Sequence, residues 1–328
     1  MSPKFPPVAS GRPRLWEATP PAIFPPIMGL FGLGLAWRLG VGEFGLPAGL
    51  PEALLGAVCL LYAFAAVAWA SKPARRLSVI GEELRILPGR AGLAAASLCL
   101  MLLAAVMVPY ATGVAQVIGF AALFTHAALA VLVVRALLAG PAEARVVTPV
   151  FHLVFVGFIL WPLSAIPLGM EAAARLVFWA TLPPALAIWG ASAWQIVTRV
   201  PPAPLRPLLA IHLAPASLFS ITATALGLPG LGAIWAVIGG AILLGLVASA
   251  RWLTAAGFSA LWGAFTFPLA AYATALLGLG RATGLPGVTM AGALVLVVAT
   301  LVIVPIAVQV MRLWAKGALA KATNAARV

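Results

Sequence analysis

Residues 261–280 read LWGAFTFPLAAYATALLGLG, twenty positions without a single charge and with a proline, Pro268, near the middle. At 1.5 Å of rise per residue, a helix of this length covers about 30 Å, the thickness of a bilayer's hydrocarbon core. A proline inside a helix removes a backbone hydrogen bond and bends the rod. In lipid that is tolerated only where neighbouring helices or a cavity satisfy the freed carbonyl. The stretch therefore predicts a membrane-spanning helix, kinked at a point enclosed by protein.

Steps of 53 residues toward the N-terminus reach Pro215 and then Pro162, and Pro25 and Pro26 lie early in the first apolar segment. Cutting at Pro, Gly and charge clusters yields ten apolar segments: Pro21–Arg38, Pro51–Ala70, Ala91–Ala111, Gly113–Val134, Pro149–Leu168, Ala174–Thr198, Pro207–Gly227, Leu231–Ala250, Ala255–Gly278 and Val288–Trp314. A period of about 50 residues equals one helical hairpin, so the ten read as five hairpin repeats. The expected fold is an all-α polytopic membrane protein in which the Pro-kinked odd helices ring a central pore and the even helices face lipid. Residues 21–314 form the pore domain, with tails at 1–20 and 315–328. The competing explanation is that proline, at 28 copies, is simply common here; Pro109 fits the 53-residue step but lies near a helix end, leaving the third segment without a central proline.

Composition agrees with this fold class. Hydrophobic residues make up 63% of the 328 positions and charged ones 8%, against roughly a quarter charged in a soluble domain. A net charge of +13 would suggest nucleic acid in a soluble protein, but the placement of the charges argues otherwise. Of the 20 Lys and Arg, 17 fall on the tails and alternate connections, and Arg38, Arg175 and Arg281 occupy the other side. That asymmetry puts both termini in the cytoplasm and accounts for the charge through topology and lipid headgroups. No nucleic-acid partner is required. The Pro-rich N-terminus lacks the pattern of a cleaved signal peptide, and the connection from Ser71 to Arg90 suits a short helix on the membrane surface. Abundant Ala, Gly, Pro and Arg with little Lys suggest a GC-rich bacterial source and hence the inner membrane.

The seven acidic residues are all glutamates, and Glu17, Glu43, Glu52, Glu82, Glu83, Glu143 and Glu171 all sit in connections or at helix ends. Carriers driven by protons or sodium usually place an ionisable group at depth, so carboxylate coupling is disfavoured. The lack of Asp excludes Asp-rich magnesium-dependent transferases and aspartyl proteases. Cys59 and Cys99 stand alone in apolar runs with no metal or redox spacing. His126, His152 and His212 are spread over different segments; a haem sensor would need paired ligands, so no cofactor or metal is expected, and His152 and His212 stand as loose candidates for a proton relay.

The Leu261–Ala270 stretch resembles the tellurite-resistance/C4-dicarboxylate transporter family, which includes the plant slow anion channels. Gly29-Leu30-Phe31-Gly32-Leu33-Gly34-Leu35-Ala36-Trp37 and Leu213-Ala214-Pro215-Ala216 also match, and the resemblance extends from about Phe24 to Trp314. It implies ten helices around a pore, assembly as a homotrimer, and a gate formed by the phenylalanine that precedes the proline of the ninth helix, here Phe267. Thr266, Phe265 and Pro268 flank it; Pro215, Pro162 and Pro26 are the other kink candidates. Phe24, Phe31, Phe158 and Phe219 are further aromatic candidates for the lining.

A phenyl ring across a narrow, uncharged pore would block ions sterically and by dewetting. The favoured reading is thus a passive channel for small anions, selective through its basic cytoplasmic mouth and exposed helix dipoles. The alternative is a proton-linked carrier of a dicarboxylate, sulfite or tellurite-like oxyanion.

Overall fold

A computed structural model describes residues 15–328, so the expected tail's residues 1–14, with Lys4, Arg12 and Arg14, lie outside the described residues. The described residues are helical throughout, with no strand. In chain order the α-helices are α1 (Phe24–Gly40), α2 (Gly49–Arg75), α3 (Ser78–Arg85), α4 (Leu87–Met107), α5 (Thr112–Ala139), α6 (Pro162–Ala165), α7 (Glu171–Thr198), α8 (Leu213–Ala225), α9 (Pro229–Ala248), α10 (Ala250–Leu253), α11 (Thr266–Thr283), α12 (Pro286–Ala315) and α13 (Ala318–Ala322). Including adjoining 3-10 turns, nine continuous helical stretches among the described residues are long and apolar enough to cross a bilayer.

The expected fifth span, Pro149–Leu168, is not one continuous helix. It passes from a π turn (His152–Val156) through a 3-10 stretch (Gly157–Leu160) into the single turn of α6. The chain is held close there: a Cβ at Gly157 would stand 2.7 Å from Leu98 Cδ2 and 3.0 Å from His126 Nε2. The prolines also act differently from the expected central kinks. Pro26, Pro162, Pro215 and Pro268 each fall in the first turn of an α-helix entered from a 3-10 turn, where the missing N–H has no intrahelical acceptor to lose. Prolines inside α-helices belong to α2, α7 and α12, on even segments, while Pro207 lies inside the 3-10 stretch Ala203–His212 of the seventh.

Burial separates the two sets. The first, third, seventh and ninth segments have 61–78% of their apolar windows buried, whereas the even ones have 22–39%. Inner segments touch in a closed circuit: α1 packs on α4, α4 on the broken fifth segment, that segment on α8, α8 on α11, and α11 back on α1. Each even helix lies on the outside of its preceding inner segment, as α5 lies on α4 and α12 on α11.

One end of the bundle is tied by charge. The Ser71–Arg90 connection contains α3, whose Glu83 receives Lys72 Nζ at 2.6 Å with both side chains fully buried. Lys72 also donates to Thr19 O at 2.9 Å, and the Ala326 N–H donates to Glu83 Oε1 at 3.1 Å. Arg75 donates to Leu15 O, and the Val328 N–H to Glu17 O. Burial pushes the Glu83 carboxyl up while the Lys72 ammonium pulls it back. Removing one partner of a buried pair strands the other charge, at about 3–5 kcal/mol. Lys72→Met should therefore lower the thermal midpoint in detergent by that equivalent, and Lys72→Met combined with Glu83→Met should recover most of the loss.

Candidate functional site

The 3-10 stretch Ala260–Phe265 becomes α11 at Thr266, and Pro268 is the third residue of the new helix. Thr266 Oγ1 fixes this junction, with acceptor carbonyls at 2.7 Å (Gly263) and 3.2 Å (Pro25). The first inner segment can come this close because of its glycines. A Cβ at Gly29 would stand 2.3 Å from Thr266 Cβ and Oγ1, and one at Gly32 would stand 3.0 Å from Phe267 Cδ2. The Phe267 ring therefore lies on a side-chain-free patch of α1 and is 5% exposed.

Two small cavities follow one another inside the ring, and Phe267 belongs to the wall of both. The first, about 40 Å³, is lined by residues near the starts of the inner segments, among them Ala22, Pro88, Ala91, Leu208 and Ala264. The second, about 20 Å³, is lined by residues farther along, among them Leu98, Val156, Leu160, Pro215 and Leu218. Met28, Leu153, Ile211 and Ala214 border both. All five inner segments contribute to each. A water needs roughly 10–15 Å³ of such space, so the first has room for a few water-sized groups and the second for about one. Among the described residues, no ionisable side chain lines the first; His152 lines the second.

The other expected site residues divide clearly. Pro268 lines the first cavity and Pro215 the second. Thr266, Pro26 and Pro162 are buried but line neither cavity, and Phe265 packs half-buried against Trp262, ring centroids 5.8 Å apart. The four further aromatics expected in the lining turn outward. Phe24 and Phe31 meet Tyr62 at 6.1 and 5.8 Å, Phe158 meets His126 at 4.6 Å, and Phe219 meets Trp235 at 4.9 Å. All these partners lie on even helices, so the rings bind the outer layer to the inner one.

His152 and His212 come together: Nε2 of the first lies 3.0 Å from Nδ1 of the second, and both rings are buried. His126 sits apart, with Nδ1 2.8 Å from Ser97 Oγ.

Arg90, in the first turn of α4, is a residue whose role the charge count passed over. It is 5% exposed, and among the described residues its guanidinium has no hydrogen-bond or ion-pair partner. It faces a cavity of about 550 Å³ that Glu143, Thr148 and Arg199 also line. Leu208 borders this cavity and the first axial one, and Ala91 beside Arg90 borders the axial one. The signal was present in the sequence as the last of five basic residues before an uncharged span.

A family model for the voltage-dependent anion channel, SLAC1, matches residues 18–311. The chain belongs to the voltage-dependent anion channel family. No curated protein matches it by sequence. Membership makes the protein a multi-pass membrane protein of an anion channel and transporter family. The match begins just before the first inner segment and ends within α12, so all the residues of both axial cavities fall inside it.

Contact between Gly32 and Phe267 can be measured in this SLAC1-family chain. Overpacking a filled site costs about 1–3 kcal/mol, so Gly32→Ala should destabilise the protein by that amount. In Phe267→Ala the same change should cost little, and a thermal double-mutant cycle should show a coupling of about 1 kcal/mol or more.

Proposed function

We propose that this protein is a channel for small anions, closed by the ring of Phe267 across a central pore made of five helical hairpins. The observation that carries the reading is that Phe267 is common to both axial cavities, on a path to which all five inner segments contribute. In an apolar constriction with room for only a few water-sized groups, a phenyl group blocks hydrated ions sterically and by excluding water.

Preference for anions has two supports. Among the described residues, no acidic side chain lines either axial cavity. Arg90 has no partner among the described residues and lies beside the first cavity. The 17-to-3 division of basic residues orients both termini to the cytoplasm, which makes the Arg90 side the cytoplasmic mouth in a bacterial inner membrane. The exposed apolar faces of the even helices meet lipid and, in the homotrimer that the tellurite-resistance resemblance implies, a neighbouring copy.

The His152–His212 pair supports a second reading, a proton-linked carrier of oxyanions, because it places a titratable group on the second cavity. Planar-bilayer currents with imposed anion and pH gradients separate the two. Phe267→Ala should raise anion current at least tenfold over the parent, with a reversal potential that follows the anion gradient and ignores the pH gradient. Electrically silent uptake driven by the pH gradient in both proteins would establish the carrier instead. In the Phe267→Ala background, Arg90→Gln should reduce anion current several-fold at low ionic strength and much less at 1 M salt, where screening shortens to about 3 Å.

A further inference from the structure

The cavity of about 550 Å³ is walled by the first turn of α4, the 3-10 turn Ala142–Arg145 with the loop after it, the last two turns of α7 and the start of the seventh segment. Among the described residues, the charged side chains that line it are Arg90, Arg199 and Glu143. Arg90 is 5% exposed and its Nε is enclosed without an acceptor. The two terminal nitrogens, equally without a hydrogen bond or ion pair among the described residues, retain accessible surface. Arg90 lines this cavity and neither axial one, so the open end of its guanidinium is turned into it.

A guanidinium taken out of water is costly unless acceptors meet its protons. The local structure raises that cost. Arg90 is the fourth residue of α4, a helix of 21 residues whose positive end adds to its charge. Glu143 supplies a carboxylate in the same wall, yet among the described residues it pairs with neither arginine. An acceptor from outside the chain answers the unmet charge. A planar guanidinium offers parallel N–H groups to two oxygens of one phosphate, which keeps further oxygens for a second cation such as the exposed Arg199. Trp194 and Ile196, exposed on α7, carry the wall out to the surface that meets lipid. The phosphodiester of a phospholipid can therefore enter from the bilayer, and a free phosphate from water.

We propose that this cavity is a phosphate site, anchored by Arg90 and opposed by Glu143, filled by a phospholipid headgroup or by free phosphate. Bound phosphate neutralises Arg90, whose neighbour Ala91 lines the first axial cavity, and so lowers the positive charge at that end of the path. This consequence rests on the anion-channel reading. The site itself is tested by binding, without current, so either can fail alone.

The experiment uses the full chain in dodecyl maltoside with two phosphate probes: radiolabelled orthophosphate in equilibrium dialysis, and fluorescent phosphatidylglycerol compared with a diacylglycerol of the same chains and label. Saturable binding of a phosphate probe is expected, weakened at least tenfold in Arg90→Gln and several-fold in Arg90→Lys, which keeps the charge but loses the fork. Glu143→Gln should tighten it several-fold, and Lys316→Gln, exposed and outside the cavity, should keep the parent midpoint. Saturation by the lipid alone assigns the phosphate to the membrane; saturation by orthophosphate assigns it to the free ion. Without phosphate, Arg90→Gln should keep or raise the thermal midpoint, because an unpaired buried charge is removed, and the phosphate probe should raise the midpoint of the parent but not of this variant. The proposal is overturned if neither probe saturates, if diacylglycerol binds as well as phosphatidylglycerol while orthophosphate does not bind, or if Arg90→Gln leaves affinity as unaltered as Lys316→Gln does. A lowered thermal midpoint of phosphate-free Arg90→Gln would also overturn it, by showing that the guanidinium already has a partner.

Discussion

Lipid offers no hydrogen bonds to a backbone, so a spanning segment must either satisfy its own amides or be enclosed by other protein. This requirement sorts the helices. Even segments such as α2, α5 and α9 run unbroken and expose most of their surface. The first, fifth, seventh and ninth segments change winding from π or 3-10 to α within their length, and the three of these with an assigned buried share are mostly enclosed. Within the spans, changes of winding are confined to the inner segments, and residues in the first turns of α8 and α11 border the axial cavities.

The closed circuit of inner segments needs close approach, since no water drives helices together in a membrane and packing supplies the attraction. Glycine supplies that closeness at the contacts that matter to the pathway. Gly29 and Gly32 admit Thr266 and Phe267, and Gly157 admits Leu98 and His126. At Gly92 a Cβ would lie 2.3 Å from the Pro21 carbonyl, which sets the start of the first inner segment against α4. Aromatic rings do the complementary work outside: Phe24, Phe31, Phe158 and Phe219 fill the space between inner and outer layers against Tyr62, His126 and Trp235. The walls of the axial cavities are left to small and aliphatic side chains, the His152 imidazole and one phenyl ring.

Polar groups fall into two classes by what meets them. The Lys72 ammonium, Glu83 Oε1, the Thr19 carbonyl and the Ala326 amide bond one another and lock the described chain's two ends to α3. Arg90, Ser192, Trp235 and the outer nitrogens of the histidine pair carry buried atoms without partners among the described residues. Of the second class, Arg90 borders the cavity of about 550 Å³ and His152 the second axial one.

Local features of the sequence were enough for the membrane-spanning, all-helical character, and they gave the expected topology; the gate candidate came from the family resemblance. Uncharged stretches of about twenty residues, the one-sided distribution of Lys and Arg, and the Thr266-Phe267-Pro268 run each act through neighbouring residues or through water, lipid and charge, whose rules do not depend on distant contacts. The prolines marked where regular winding changes, although their role as first-turn residues depended on the 3-10 stretches before them. Facing directions were another matter. Helices such as α1 and α8 are apolar all round, so no polar stripe tells the pore side from the packed side, and only tertiary contact decided that Phe267 turns inward while Phe219 and Phe31 turn outward. The meeting of His152 with His212, 60 residues apart, and of Gly32 with Phe267, likewise depended on the closure of the ring, because a one-dimensional pattern of apolar residues carries no information about which helix is its neighbour.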